Sequence, residues 1–399
     1  MTGQFFRDEM KAIIKDQGAL LILFGAMIIY PLIYAFAYKP EVVREIKTIV
    51  VDQDRTVTSR QLIRMVNATE QIQLIQSAAS LDEAEKLFVN GHEMGGILVI
   101  PADFEKHLFE GTQADVSVYA DGSYFLIYRQ IISGTVQASG TFSAGVEIKK
   151  QMAEGKTYIQ AMESRDPLSA DLHYWFNPFS GYANFVMPGI ILIILQQTLL
   201  IGIGMIGGTS KEKKRHSYQV PVALKPGGVF PFLFGKTLSY LTVYLVNCVF
   251  TMVWLHHWFD YPSRSSYLHV FMLTLPFLLS IIFMGITFSV LFRKRESSML
   301  FMVFLSPIVL FLSGVSWPVS SIPPLLHNLA NVFPTTLMVP AYLRLRIMGV
   351  GFESIRHEYL LLLLQCGIYF ITAATALYFE TKRHNTSKSI KKQIRYRKN

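Results

Sequence analysis

The fold is decided by the stretch FVMPGIILIILQQTLLIGIGMIGG, residues 185–208, and by the basic segment TSKEKKRH that follows at 209–216. The first stretch contains no charged residue, and about 20 apolar residues are enough to span the hydrocarbon core of a bilayer. A cluster of Lys and Arg directly after such a run is typical of a cytoplasmic loop. After a segment containing Pro and Gly, the chain becomes apolar again at Val229. The sequence therefore predicts two membrane spans joined on the inner side.

The composition is that of a membrane protein with a soluble part. Of the 399 residues, 51% are hydrophobic and only 16% are charged, whereas soluble domains carry about 25% charged residues. The formal net charge is +9, yet residues 39–180 hold 13 Lys and Arg against 19 Asp and Glu. The positive excess thus flanks the apolar runs, which favours a role in membrane orientation over nucleic-acid binding. Cys248 and Cys366 both lie in apolar runs, so no disulfide framework is expected.

Six apolar runs are long enough to span a membrane. The first contains Ala35-Phe36-Ala37, which resembles a signal-peptide cleavage site, but the run is too long for a typical signal-peptide core and is interpreted as a retained span. The predicted spans are 19–38, 185–208, 230–256, 267–292, 298–317 and 358–379.

The distribution of Lys and Arg predicts the orientation of these spans. With both termini inside, the inner segments carry 20 Lys and Arg, and the two short outer segments carry four. The long segment between the first two spans is left out of the comparison, because long domains cross a membrane largely regardless of charge. We therefore predict a multi-pass protein of the cell (inner) membrane with both termini in the cytoplasm.

The predicted fold is an α-helical integral membrane protein with six transmembrane helices and an α/β extracytoplasmic domain between spans one and two. Strand-like segments alternate with helix-like segments in the inserted region, as in α/β domains. A capping box at Ser80 to Glu83 and a proline at Pro101 predict two helix starts there. The predicted boundaries are a cytoplasmic amphipathic helix at 1–18, the extracytoplasmic domain at 39–182, the transmembrane domain with spans two to six at 183–381, and a basic cytoplasmic tail at 382–399.

The sequence lacks the motifs of the common enzyme classes. It contains no G-x-x-x-x-G-K-[ST] phosphate loop, no H-E-x-x-H and no G-x-S-x-G, so no catalytic, cofactor-binding or metal-binding residue is predicted. The spans hold almost no ionisable side chains, which disfavours an ion-driven carrier. Lys236 lies near the inner end of its span, where its side chain is expected to reach the interface. His256, His257 and His269 are too few for a metal site and are interpreted as interfacial residues.

Three polar residues lie within predicted spans, namely Gln196, Gln197 and Asn247. Such residues commonly form hydrogen bonds between helices in a membrane. The alternative is that they line the path of a translocated substrate. The sequence leaves both interpretations open.

Several motifs occur in a characteristic order along the chain. They are Val50-Val51-Asp52-Gln53-Asp54, the segment from Gly95-Gly96 to Pro101-Ala102-Asp103-Phe104, Tyr119-Ala120-Asp121, Glu212-Lys213-Lys214-Arg215, Gly235-Lys236, and the proline-rich pattern from Ser313 to Gly349. Their order resembles that of permease subunits of type-2 ATP-binding cassette (ABC) exporters, in the subgroup with a large extracytoplasmic domain between spans one and two. One departure is His216-Ser217-Tyr218-Gln219, where the family often has Gly-Thr and an acidic residue.

The resemblance implies a permease half that pairs with a second half, identical or paralogous, and with two ABC ATPase subunits. ATP would bind to those subunits, and this chain would hold no cofactor. A periplasmic adaptor and an outer-membrane channel are further expected partners where the cell has two membranes. The implied ATPase-coupling loop contains Lys211, Glu212, Lys213, Lys214, Arg215, His216 and Tyr218. The alternative for this loop is a solvated basic segment that only sets topology.

Two other functions compete with export. A membrane-anchored sensor would bind a ligand with the inserted domain, but it would be expected to have a cytoplasmic output domain, and the predicted inner segments are short. A mechanotransmitter would use ATP hydrolysis on a partner to move the inserted domain, and no substrate would cross. Transport into vesicles would separate the mechanotransmitter from an exporter.

Overall fold

The computed structural model describes residues 2–91, 93–165, 173, 175–177, 181–213, 228–292 and 294–398, with side chains described in these ranges except at 213 and 383–398. The chain forms two compact units. We call residues Met1–Glu41 with Tyr174–Asn399 the membrane unit, and residues Val42–His173 the inserted unit.

The described residues are mostly helical. The helices are α1 (Thr2–Lys15), α2 (Gln17–Leu20), α3 (Ala26–Ala37), α4 (Val57–Asn67), α5 (Leu81–Asn90), α6 (Phe104–Glu110), α7 (Phe125–Ala153), α8 (Tyr158–Arg165), α9 (Tyr182–Lys213), α10 (Val229–Val249), α11 (Leu255–Trp258), α12 (Tyr267–Leu291), α13 (Arg295–Leu312), α14 (Pro324–Ala330), α15 (Pro334–Leu343) and α16 (Arg356–Lys398). Short 3-10 turns lie at Val319–Ser321 and Phe352–Ile355. The strands are β1 (Ile46–Asp52), β2 (Ile72–Ala78), β3 (Gly96–Ile100) and β4 (Ser117–Ala120).

Six helices among the described residues are long and apolar enough to cross a membrane. These spans are Gln17–Ala37, Tyr182–Glu212, Val229–Trp258, Tyr267–Leu291, Arg295–Leu312 and Phe352–Lys382. The second span is central, because 83% of its apolar window is buried inside the protein, against 17% for the fifth. It packs against the first, fourth and fifth spans. Three of the other spans therefore pack around the helix on which the sequence prediction was built.

The fifth span ends at Leu312 rather than at the predicted residue 317. Gly314 adopts a left-handed backbone with φ of 88°, which ends a right-handed helix and is tolerated best by glycine. The following region forms two short helices, α14 and α15, and each begins with a proline. Proline suits that position because its missing N–H would have no partner inside the helix.

Three π-helical turns, which are wider than α-helical turns, occur in the membrane unit. They lie in the first span, in the third span and directly after α15. These turns are Leu21–Gly25, Phe250–Trp254 and Arg344–Met348. In each, a backbone carbonyl accepts from the N–H five residues later, at Ala26, Leu255 and Gly349 respectively. Such turns are rare and often lie at functional sites.

The inserted unit contains a four-stranded sheet in the order β2-β1-β3-β4. β1 runs parallel to β2 and β3, whereas β4 runs antiparallel to β3. All five residues of β3 are buried, as expected for a strand covered on both faces. One face packs against Leu62 of α4 and Ile131 of α7, and the other packs against Ala84 of α5.

Two helix starts in the inserted unit test the local sequence signals. The Ser80 hydroxyl accepts from the Glu83 N–H at 3.2 Å, and the Glu83 carboxylate accepts from the Ala79 N–H at 2.8 Å, so the predicted cap is present. The prediction that Pro101 opens a helix was wrong, because α6 begins at Phe104. Asp103 has a left-handed φ of 64°, and regular helical geometry can start only after it.

Candidate functional site

One end of the membrane unit joins five elements through charged side chains. These elements are α1, the turn at Asp16, the C-terminal end of α9 and the N-terminal ends of α10 and α13. We call this region the α1 end.

The helix α1 packs against α10 along a stripe of side chains spaced four residues apart. Phe5, Glu9 and Ile13 are all buried, and residues four apart lie on one face of a helix. The Phe5 ring meets the Phe232 ring edge-on at 5.4 Å between centroids. Gly235 permits the close approach, because a Cβ atom there would lie 2.6 Å from the Phe5 Cβ. The amphipathic N-terminal helix is therefore fastened to the third span.

An acid within this apolar stripe fixes α1 further. The Glu9 Oε1 atom accepts from the Lys236 ammonium at 2.7 Å and from the Tyr240 hydroxyl at 2.7 Å. Lys236 is only 4% exposed, so the expectation that its side chain reaches the interface was wrong. Because α1 covers this part of α10, the ammonium meets a carboxylate inside the protein instead of water.

The second connection at the α1 end is an ion pair between Asp16 and Arg295. The Arg295 Nη1 atom lies 2.5 Å from Asp16 Oδ2, and Nη2 lies 2.9 Å from Oδ1. Arg295 Nη1 also donates to the Thr209 hydroxyl at 3.0 Å. Asp16 Oδ1 accepts from the Ala19 N–H at 3.0 Å and so caps α2. One guanidinium thus joins the starts of the first and fifth spans to the end of the second.

The charge of Asp16 is favoured in this arrangement. Burial acts to raise the pKa of the Asp16 carboxyl, but the hydrogen bonds and charge of Arg295, with the Ala19 N–H, outweigh it and hold that pKa below its usual value. Asp16 therefore remains ionised near neutral pH, and the ion pair persists.

The first residues of the predicted coupling loop contact the membrane unit itself. Lys211 is 1% exposed; its ammonium donates to the Val290 carbonyl and lies 3.9 Å from Glu380. Glu212 is exposed, and its Oε1 atom accepts from the Arg295 N–H at 2.9 Å. Gly208 makes this contact possible, because a Cβ there would lie 2.5 Å from the Arg295 Cα.

The structure describes less of the remaining residues of the predicted coupling loop. Lys213 lies at the end of α9, and its side chain is not described. The other predicted coupling residues lie outside the described residues, namely Lys214, Arg215, His216 and Tyr218.

Sequence reasoning missed Glu9, Asp16 and Arg295 as parts of one site. Arg295 entered only the charge count, and the two acids were not paired with any base. A signal existed for Glu9, because it stands between Phe5 and Ile13 on the apolar face of α1. An acid at such a position requires a buried partner.

The three polar residues within spans have different surroundings. The Asn247 amide donates to the Leu23 carbonyl at 2.8 Å, which lies in the first π-helical turn, so Asn247 joins two spans. Gln196 Oε1 accepts from the Thr335 N–H at 3.1 Å. Gln197 is buried, and neither of its amide atoms has a hydrogen-bond partner among the residues described here.

The three histidines have different surroundings and do not share a contact partner in the described residues. His256 is buried, with Nδ1 2.9 Å from the Thr251 carbonyl and Nε2 3.3 Å from the Tyr342 hydroxyl. His257 is exposed, and the His269 ring contacts Phe352. Within the described ranges, no group of three or more His, Cys, Asp and Glu is placed to hold a metal ion.

Comparison with known proteins gives one family over most of the chain. Residues 18–375 match the family described as ABC-2 family transporter protein. Three similar proteins come from Escherichia coli (strain K12). "Probable multidrug ABC transporter permease YbhS" is 24% identical over 64% of this chain and 64% of its own length. "Probable multidrug ABC transporter permease YbhR" is 22% identical over 82% and 84%, and "Inner membrane transport permease YhhJ" is 22% identical over 69% and 70%.

The comparisons and the helices support the same class of protein. The aligned region covers just under two thirds of YbhS. The family match covers the six spans except Gln17 at the start of the first and the residues after 375 in the sixth. Such a chain crosses the membrane several times. The protein belongs to the ABC-2 family of transporter proteins.

Proposed function

We propose that this chain is the permease half of an ABC-type exporter and that separate ATPase subunits dock at its α1 end. The family match supports a permease, and the relatives named as multidrug permeases support export of small molecules. In this proposal, the chain lies in the inner membrane. Both termini and the loop after α9 lie in the cytoplasm. The exporter contains two such halves, identical or paralogous.

The observation that carries the proposal is the charged connection at the α1 end. A push on α1 reaches the third span through Glu9 and Lys236, and a push on the loop reaches the fifth span through Glu212 and Arg295. Arg295 also holds Asp16 at the start of the first span. Close-packed protein interiors transmit strain, so in this proposal displacement of this end tilts several spans together.

Gln197 is our candidate for contact with the substrate inside the membrane. A buried amide without partners costs free energy, and a polar group of a substrate or an ordered water would remove that cost. Asn247 is a weaker candidate, because its amide already donates a hydrogen bond to the Leu23 carbonyl. The inserted unit would lie outside the cytoplasm, where a periplasmic adaptor leading to an outer-membrane channel could bind it.

The proposal is tested by separating the two roles that Glu212 could have. Glu212→Gln keeps an oxygen that can accept from the Arg295 N–H but removes the negative charge, whereas Glu212→Ala removes both. If Glu212 docks on an ATPase by its charge, both variants lose transport at least several-fold, since loss of one partner from a charged contact costs about 2–5 kcal/mol. The measurements are the amount of ATPase that copurifies and ATP-driven efflux of lipophilic cations, normalised to membrane abundance.

The controls are an alanine scan and the chain alone. Alanine at Lys214, Arg215, His216 or Tyr218 should reduce copurification of the ATPase without changing abundance. The chain alone in lipid should hydrolyse no ATP. The docking assignment fails if Glu212→Gln and every loop variant keep normal efflux and normal copurification, and the permease assignment fails if the chain hydrolyses ATP without a partner.

The predicted orientation has its own test. In a chain with Cys248→Ala and Cys366→Ala, we expect Glu85→Cys and Ser320→Cys to react with an impermeant thiol reagent on intact cells. Both positions are exposed in their units. A cysteine at Ser387, in the basic tail, should react only after the membrane is opened. Labelling at Ser387 in intact cells would reverse the orientation.

A further inference from the structure

Three aromatic side chains are exposed together at the start of α7 in the inserted unit. Tyr124, Phe125 and Tyr128 are 64%, 69% and 45% exposed. The Tyr128 N–H donates to the Tyr124 carbonyl at 3.0 Å, so the three residues form the first turn of the helix, where residues three or four apart are neighbours. We call these residues the aromatic cluster. Contiguous apolar surface of this kind marks an interaction site on a protein or a membrane.

The aromatic cluster lies at the end of the inserted unit where the chain enters from the first span. Gly95 marks this end, because its N–H donates to the Lys47 carbonyl at 2.9 Å and its carbonyl accepts from the Asp121 N–H at 2.8 Å. A Cβ atom at Gly95 would lie 2.3 Å from Ile46 Cγ2 and 2.9 Å from Ile127 Cγ2. Ile46 is the first residue of β1, and Ile127 belongs to the first turn of α7. The start of the sheet and the aromatic cluster are therefore neighbours.

The length of the connecting chain keeps this end of the inserted unit near the bilayer. The Glu41 carbonyl accepts from the Tyr182 N–H at 2.9 Å, and Tyr182 is the first residue of the second span. Residues 42–45 connect Glu41 to Ile46. An extended chain spans at most about 3.6 Å per residue, so the start of β1 lies within about 18 Å of Glu41. The aromatic cluster beside it therefore stays within reach of the lipid headgroups.

The chemistry of the aromatic cluster fits the headgroup region of a bilayer. A tyrosine presents an apolar ring and a polar hydroxyl, and such side chains are enriched where hydrocarbon meets water. The nearby charges occur in pairs, since Lys47 pairs with Glu93 and Arg44 pairs with Glu70. These four residues carry no net charge, so they neither repel nor require an anionic lipid. A zwitterionic lipid surface is therefore a sufficient partner.

We propose that Tyr124, Phe125 and Tyr128 dock the inserted unit on the lipid headgroups of the membrane that the spans cross. The three rings enter the headgroup region, and the two tyrosine hydroxyls remain in contact with water. This docking restricts the motion that the short connection at 42–45 would otherwise allow. It depends on the chain spanning a bilayer and not on ATP-driven export, so it stands or falls independently of the proposed transport function.

The experiment measures how close the aromatic cluster comes to lipid in the full chain. In a chain with Cys248→Ala and Cys366→Ala, a thiol-reactive fluorophore is attached at Arg129→Cys, an exposed position beside the cluster. The protein is placed in phosphatidylcholine nanodiscs that contain a lipid with a spin label on its headgroup, which quenches fluorophores at short range. Val57→Cys is the matched control position, because Val57 is 68% exposed and follows the other end of β1. We expect strong quenching at position 129 and little at position 57.

Variants connect the quenching to the aromatic rings. Tyr124→Ser with Phe125→Ser should lower quenching at position 129 to the level at position 57. Tyr124 is the N-cap of α7, where serine is well tolerated, so the helix should persist. Phe109→Ser removes another exposed ring of the inserted unit and should leave quenching unchanged.

Two results would overturn the proposal. The first is equal quenching at positions 129 and 57, which would mean that water or another protein faces the cluster. The second is a double serine variant that is quenched as strongly as the chain with its aromatic rings intact, because the rings would then not hold the inserted unit on the lipid.

Discussion

Glu9→Ala is expected to release the N-terminal helix from the third span. The substitution removes the carboxylate that lies 2.7 Å from both the Lys236 ammonium and the Tyr240 hydroxyl. Removing one partner of a buried ion pair typically costs about 3–5 kcal/mol. Because α1 is terminal, we expect the cost to appear as local opening of α1 before the spans unfold. Lys11 and Lys15 are already exposed on the folded helix, but trypsin cleaves an extended backbone, so this opening should allow cleavage after them.

The measurement is the rate of tryptic cleavage within α1 of the purified protein in lipid. Asp8→Ala is the matched control, because Asp8 is an exposed acid on the same helix and its loss should leave the rate unchanged. Glu9→Gln keeps an acceptor and should fall between the two. Equal cleavage rates for Glu9→Ala and Asp8→Ala would contradict a role of Glu9 in holding α1.

A double substitution separates stability from transmission of force. Glu9→Leu with Lys236→Leu replaces the buried pair by apolar side chains, a change that is often neutral or stabilising. We expect this variant to resist trypsin as the wild type does. If packing alone couples α1 to the third span, its transport will also be normal; if the charged contact is needed, transport will remain low despite normal cleavage resistance.

The long apolar runs made the six spans predictable, because a bilayer imposes a length and a composition on each span. The strands of the inserted unit were also predictable from the sequence. β3, for example, is a short apolar run between glycine and proline. The start of α6 could not be predicted in this way. Nothing in the sequence indicates the left-handed backbone of Asp103 as clearly as Pro101 indicates a helix start. The end of the fifth span depended on Gly314, which could have been recognised as a helix stop.

The connections at the α1 end could not be derived from sequence spacing. Glu9 and Lys236 are 227 residues apart, and Asp16 and Arg295 are 279 apart. Nothing local links such pairs, so only the tertiary arrangement of spans brings them together. The π-helical turns were equally hidden, because in two of them a carbonyl is held by a side chain from a distant segment, Asn247 at Leu23 and Arg346 at Met252.

Arg295→Gln is expected to uncouple ATP hydrolysis from transport more strongly than it lowers stability. Arg295 makes paired hydrogen bonds to Asp16 and a third to Thr209, and hydrogen bonds to charged groups contribute about 1.5–3 kcal/mol each when their loss leaves a partner unsatisfied. Asp16→Asn is the complementary change, because its remaining side-chain oxygen can still cap α2. We expect the double variant to lose less stability than the sum of the single variants.

The ion pair of Arg344 and Glu358 supplies a matched control at the opposite end of the membrane unit. Its N–O distance is 3.0 Å, and its side chains are about as exposed as those of the Asp16–Arg295 pair. Arg344→Gln should therefore lower the unfolding temperature by a similar amount. If the α1 end receives force from an ATPase, Arg295→Gln will reduce substrate transported per ATP hydrolysed, and Arg344→Gln will leave that ratio unchanged. A ratio that falls equally in both variants, in proportion to lost stability, would mean that Asp16 and Arg295 only hold the fold together.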